Sequence, residues 1–167
     1  CKELVENLIP LSGSANSQYF EKRAREFLEA MILTLVKLEG VLTLPSLYRV
    51  ISLIPTNGPE WLDFGFEMNE SGFEISERIE AEIAAARSNP TGGIQGILGE
   101  VFKALTPLSD PTLMASVSPP YDVSLADLCA SDQKIQFYLM PPAEFIDAWS
   151  PVIKAIFVGA MIYKSRA

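Results

Sequence analysis

The chain contains no histidine. That absence removes imidazole acid–base catalysis, the Ser-His-Asp and Cys-His nucleophile arrangements, and zinc sites with a histidine ligand. Cysteine is scarce: Cys1 and Cys129 are the only two among 167 residues, and they form no metal-ligand spacing. Two thiols in a chain of this size suit a reducing cytosol better than a disulfide scaffold. Cys129, in LADLCAS, reads as a small core residue. Positive charge is also short, with 13 Lys and Arg against 21 Asp and Glu, a net charge of −8 and a pI near 4.6. A surface that gathers nucleic acid or anionic lipid by charge needs clustered cations, so the balance argues against both and leaves room for a basic protein partner. The longest apolar run of the last helix, residues 155–163 (AIFVGAMIY), follows Lys154 and falls far short of the roughly 20 residues of a membrane span, so it is expected in a buried helix. The chain does not begin with Met and shows no signal-peptide pattern.

What is present is apolar content of 49%, enough for a sizeable core in one domain, or in one domain plus part of another. The periodicity is helical almost throughout. Residues 1–10 give a short amphipathic helix or turn with Leu4, Val5 and Leu8 on one face. Residues 17–39 give the clearest helix, capped by Ser17, with Phe20, Ala24, Phe27, Leu28, Met31, Leu35 and Leu38 along one side and Gly40 as its stop. Its second half, AMILTLV, is apolar nearly all round and is expected to be buried on several sides. A short helix opens at Thr43 or Pro45 and closes at Pro55, with Leu47, Val50, Ile51 and Ile54 inward. Another starts at Pro59, behind Asn57 or Gly58, with Trp61, Leu62 and Phe66 as expected core residues and Gly65 as a weak point. Ile75, Ile79 and Ile83 stripe a surface helix on which Glu74 and Arg78 can pair at i, i+4. Asn89 and Pro90 open the next, with Ile94, Ile97, Leu98, Val101, Phe102 and Leu105 inward. A helical turn in SDPTLMAS, an extended proline segment and a short helix over residues 124–130 follow. Residues 134–140 (KIQFYLM) read as a β-strand stopped by Pro141 and Pro142. The final helix spans about 143–164, with Pro151 marking a break or restart.

Four groups carry chemistry. The glycine-rich NPTGGIQGILGE, residues 89–100, lies at a helix start, where phosphate can bind. It lacks the preceding strand and the Gly-Lys-Ser/Thr ending of a phosphate loop, so it reads as a flexible helix start with close packing at Gly96 and Gly99. The acidic series Glu60, Asp63, Glu67, Glu70, Glu74, Glu77, Glu80 and Glu82 runs along two surface helices. Its default reading is a solvated face, and its functional reading, centred on Glu60, Asp63, Glu67, Glu70, Glu74 and Glu77, is a docking surface for a basic protein segment. Lys22, Arg23 and Arg25 form a small basic patch between Glu21 and Glu26, a salt-paired face by default and a DNA contact as the alternative. Trp61 and Trp149 read as core or interface anchors. No catalytic residue emerges from the sequence.

Two stretches, ANSQYFEKRAREFLEAMILTLVKLEGVLTLPSLYRVI and later DVSLADLCASDQKIQFYLMPPAEFIDAWSPVIKAIF, taken in this order, resemble the TraG-like coupling proteins of type IV secretion systems. These are membrane-anchored hexameric ATPases related to conjugative DNA translocases. The resemblance covers most of the chain and implies a mainly α fold: a compact multi-helix bundle, the family's all-α insertion domain (1–120), then one strand and a helix of a truncated RecA-like α/β nucleotide-binding domain (121–167). It implies a cytoplasmic domain of an inner-membrane-anchored bacterial protein, without membrane contact of its own. It also implies a recruitment role, binding a secreted protein or a relaxase–DNA complex, in some systems through an adaptor, and presenting it to the translocation ATPase. The runner-up is a DNA-binding helical module of the same apparatus; a carboxylate-using helical enzyme is a distant third. The family's ATP and Mg sites use a phosphate loop and an acidic strand that this sequence lacks, so no cofactor and no enzymatic activity are expected of it. The strand is expected to be a cut edge: unpaired, refolded, or paired with a second copy.

Overall fold

A computed structural model describes residues 1–89, 92–129 and 134–166, and among these it contains nine α-helices and no strand. They are α1 (Lys2–Leu8), α2 (Ala15–Glu39), α3 (Leu44–Leu53), α4 (Pro59–Asn69), α5 (Glu74–Ser88), α6 (Gly92–Leu105), α7 (Pro111–Ser116), α8 (Leu125–Cys129) and α9 (Ile146–Arg166). The fold is mainly helical, as the periodicity predicts.

Local chemistry sets most of the boundaries. The Ser14 hydroxyl accepts from the Ser17 amide, so α2 starts at Ala15, earlier than the cap expected at Ser17. Gly40 ends α2 in the left-handed region at φ 75°, a conformation that glycine adopts at no steric cost. Thr43 caps α3 through the Ser46 amide, Pro59 is the first residue of α4, and Asp110 caps α7 by accepting from the Thr112 and Leu113 amides.

The core forms around α2, which packs against α1, α3, α4, α5 and α6. Ala30, Met31, Ile32, Thr34 and Leu35 are all buried, as their all-round apolar setting requires. Two buried hydroxyls in this region are satisfied without water. Thr34 and Ser76 both donate to the Ala30 carbonyl, at 2.9 and 3.1 Å, which ties α5 to α2. The i, i+4 pair expected between Glu74 and Arg78 is replaced by a longer-range one, Arg78 to Glu26 of α2 at 3.6 Å.

Several expectations need correction. Leu62 and Phe66 are exposed, at 59% and 63%, and the inward face of α4 is Trp61, Phe64, Gly65 and Met68. Leu38 is exposed at the end of α2. Residues 134–140 form no strand; they run without regular structure, with Ile135, Phe137, Tyr138 and Met140 all exposed. The backbone has strand-like chemistry but no neighbouring strand among the described residues to complete a ladder. α9 is not a buried helix. It packs against α1 and α8, but only Trp149 and Val152 are buried, and Phe157, Met161 and Tyr163 are exposed. It is one helix, among the described residues, long and apolar enough to cross a membrane by length and composition. Pro151 does not break it: the Asp147 carbonyl, which a proline four residues on cannot serve, accepts from the Ser150 hydroxyl at 2.9 Å. Asn89, expected to cap the next helix, instead ends α5, its amide donating to the Ala85 carbonyl; the expected first position Pro90 and the Cys129 side chain lie outside what the structure describes.

The two glycines expected to pack closely in α6 part company. A Cβ on Gly96 would sit 2.6 Å from Phe20 Cε1, whereas one on Gly99 would meet nothing within 4 Å. Gly96→Ala should therefore destabilise the fold by about 1–3 kcal/mol through overpacking at the α2–α6 contact. Gly99→Ala should stabilise it by roughly 0.5–1 kcal/mol through helix propensity. Urea unfolding of the two single variants reads both signs directly.

Candidate functional site

α4 brings Glu60, Asp63 and Glu67 onto one helical face by their i, i+3, i+7 spacing. That face looks across a groove of about 280 Å³ toward α3 and the end of α2. The floor is apolar, made by Leu38, Val50, Leu53 and Phe64, and the rim carries the three carboxylates with a single cation, Arg49. Arg49 leans toward Glu39 instead, at 3.7 Å. Among the described residues Glu60, Asp63 and Glu67 have no hydrogen-bond or ion-pair partner; Glu60 and Asp63 are exposed and Glu67 is half-buried.

The rest of the acidic series is used differently. Glu70 ends α4, and its carbonyl, with that of Ser71, accepts from Lys37 Nζ at 2.9 and 2.8 Å. Glu74 and Glu77 lie in the first turn of α5, where negative charge complements the helix dipole. Glu80 bonds Asn69 at 3.0 Å and packs against Gly65, and Glu82 is held by Arg23. Of the six residues read from sequence as one docking surface, three share a groove and three serve helix ends. The groove's apolar floor escaped the sequence, because it joins residues from three helices that no local spacing connects.

The basic patch is dispersed. Arg23 pairs with Glu26 and Glu82, Arg25 Nε donates to the Ile9 carbonyl at 2.8 Å, and only Lys22 projects freely into solvent. Both arginines act as ties between α2 and its neighbours.

The glycine-rich stretch joins α5 to α6, helix to helix. A phosphate loop joins a strand to a helix and ends in Gly-Lys-Ser/Thr, and this stretch has neither feature. Among the described residues no group of three or more Asp, Glu or Cys side chains is placed to hold a metal. Compared with known proteins, the chain matches no family model, no curated protein and no solved structure.

Proposed function

We propose that this chain is the substrate-recruitment domain of a type IV secretion coupling protein, binding a secreted protein or a relaxase through the groove between α3 and α4. The observation that carries the reading is the groove itself: three unpartnered carboxylates above an apolar floor, in a chain of net charge −8. Such a surface attracts a basic segment by long-range charge and retains it by burying an apolar side chain. The resemblance of the two sequence stretches supplies the family. DNA as the direct contact has less support, since Arg23 and Arg25 are engaged in ties within the fold.

In this reading residues 1–120 are the all-α recognition domain and residues 121–167 lead into the RecA-like nucleotide-binding domain of a hexameric, membrane-anchored ATPase. ATP chemistry belongs to that larger assembly. The exposed apolar side chains of residues 134–140 and of α9 support this, because they are surface that a neighbouring sheet and its layers would cover. Hydrogen exchange on a chain carried through the nucleotide-binding domain tests that part. The amides of residues 134–140 should be protected there and fast in the present chain; equal rates would refute it.

The recruitment role is tested by capture. The chain, immobilised, should retain relaxase or secreted substrate of its own secretion system at micromolar concentration, and retention should weaken as salt rises. No capture of any component of that system would sink the proposal.

A further inference from the structure

A second cavity, which shares no lining residue with the groove, lies between α5, α6 and the turn at Ile54 and Pro55, with a volume of about 430 Å³. Its walls are largely hydrocarbon, from Ile54, Ile83, Ile94, Leu98 and Phe102. That size falls within the roughly 300–1,000 Å³ of small-ligand sites, whose apolar walls carry a few placed polar groups. Here the placed group is Arg87. Its Nη2 donates to the Ile54 carbonyl at 2.7 Å, and its guanidinium lies 5.4 Å from the centre of the Trp61 ring. Those two contacts fix the plane of the fork and use one of its five N–H donors.

Arg23, Arg49, Arg78 and Arg166 each reach a carboxylate, but Arg87 forms no ion pair among the described residues. Burial pulls its pKa below the usual arginine value, with Glu80 opposing from a distance. It remains a cation, but one that gains from a counter-ion. The α6 wall is open beside it, because Gly99 lines the cavity and a Cβ there would touch nothing within 4 Å.

We propose that this cavity binds an amphiphile with an apolar chain and one carboxylate head, the chain against Ile83, Leu98 and Phe102 and the head on the Arg87 guanidinium. A carboxylate matches the planar fork with two parallel N–H bonds, which a neutral or cationic head cannot do. The chain replaces water on hydrocarbon walls, at about 25 cal/mol per Å² of apolar surface removed. The site is separate from the α3–α4 groove and does not depend on the recruitment role.

Decanoate is the probe, titrated by calorimetry into the intact chain below its micelle concentration, with decanol as the neutral comparison. Saturable one-site binding is expected, with decanol weaker by at least about tenfold. Gly99→Leu fills the cavity from a helix position that tolerates a better helix former, and should abolish decanoate binding while the melting temperature holds. Arg87→Gln should weaken decanoate by about tenfold and leave decanol unchanged. If Arg87→Gln fails to fold, Gly99→Leu decides alone. Non-saturating uptake, or equal binding by Gly99→Leu, would assign the amphiphile to exposed apolar surface such as that of α9 and overturn the proposal. Equal affinity for decanol would overturn the role of Arg87 as the head-group partner.

Discussion

Trp61→Ala should cost the fold about 3–5 kcal/mol, the range for deleting a large buried aromatic. Trp61 is 1% exposed and is among the largest fully buried side chains. It lies 6.0 Å from the Phe64 ring, and Arg87 stacks over it. Truncation leaves a cavity where α4 meets the core and removes the surface that Arg87 lies on. Against a total stability of about 5–15 kcal/mol for a domain, that loss is large enough to leave a measurable unfolded population at 37 °C. The neighbouring residue makes the control. Leu62 is 59% exposed, and Leu62→Ala should change stability by less than about 0.5 kcal/mol. Urea melts of the two variants should show a large fall in midpoint for Trp61→Ala, with little change in slope, and almost none for Leu62→Ala. A cost under about 1 kcal/mol for Trp61→Ala would mean that the inward face of α4 is wrongly drawn.

That contrast also marks where sequence reasoning stopped. The segment WLDFGFEM carries apolar residues at 61, 62, 64, 66 and 68, which fit two overlapping helical faces. Trp61, Phe64 and Met68 win, because they share a face with Gly65, whose missing side chain lets Glu80 of α5 approach to 3.3 Å of where a Cβ would stand. No pattern within α4 could reveal this, since the deciding contact lies on another helix. Helix existence and most caps were legible because they are local: Gly40, Thr43 and Pro59 act on their own few neighbours. Residues 134–140 show the opposite limit. Their composition favours a strand, but a strand is completed only by a partner, and among the described residues the chain has none. Pro151 misled for a related reason, because the Ser150 hydroxyl serves the carbonyl that the proline orphans. In the groove, the carboxylates were visible as a spaced series, but the floor beneath them comes from α2, α3 and α4 together.

Neutralising the groove rim, with Glu60→Gln, Asp63→Asn and Glu67→Gln in one chain, should separate binding from stability. The fold should barely respond. Glu60 and Asp63 are exposed, Glu67 is half-buried, and all three lack partners among the described residues. Removing the like-charge i, i+3 and i, i+4 neighbours along α4 relieves a few tenths of a kcal/mol of repulsion. Losing Glu60 from the first turn of α4 forfeits about 0.3–1 kcal/mol of helix-dipole stabilisation, so the two effects roughly offset. Binding should respond strongly. At about 0.5–1 kcal/mol for each exposed charge pair with a basic partner, the triple variant should hold its captured substrate about 10- to 100-fold more weakly. Most of the loss should fall on the association rate and should shrink as salt is raised, because rim charges act chiefly by steering. Unchanged capture by a folded triple variant would remove the groove as the recruitment site while leaving recruitment by another face of the same domain open to measurement.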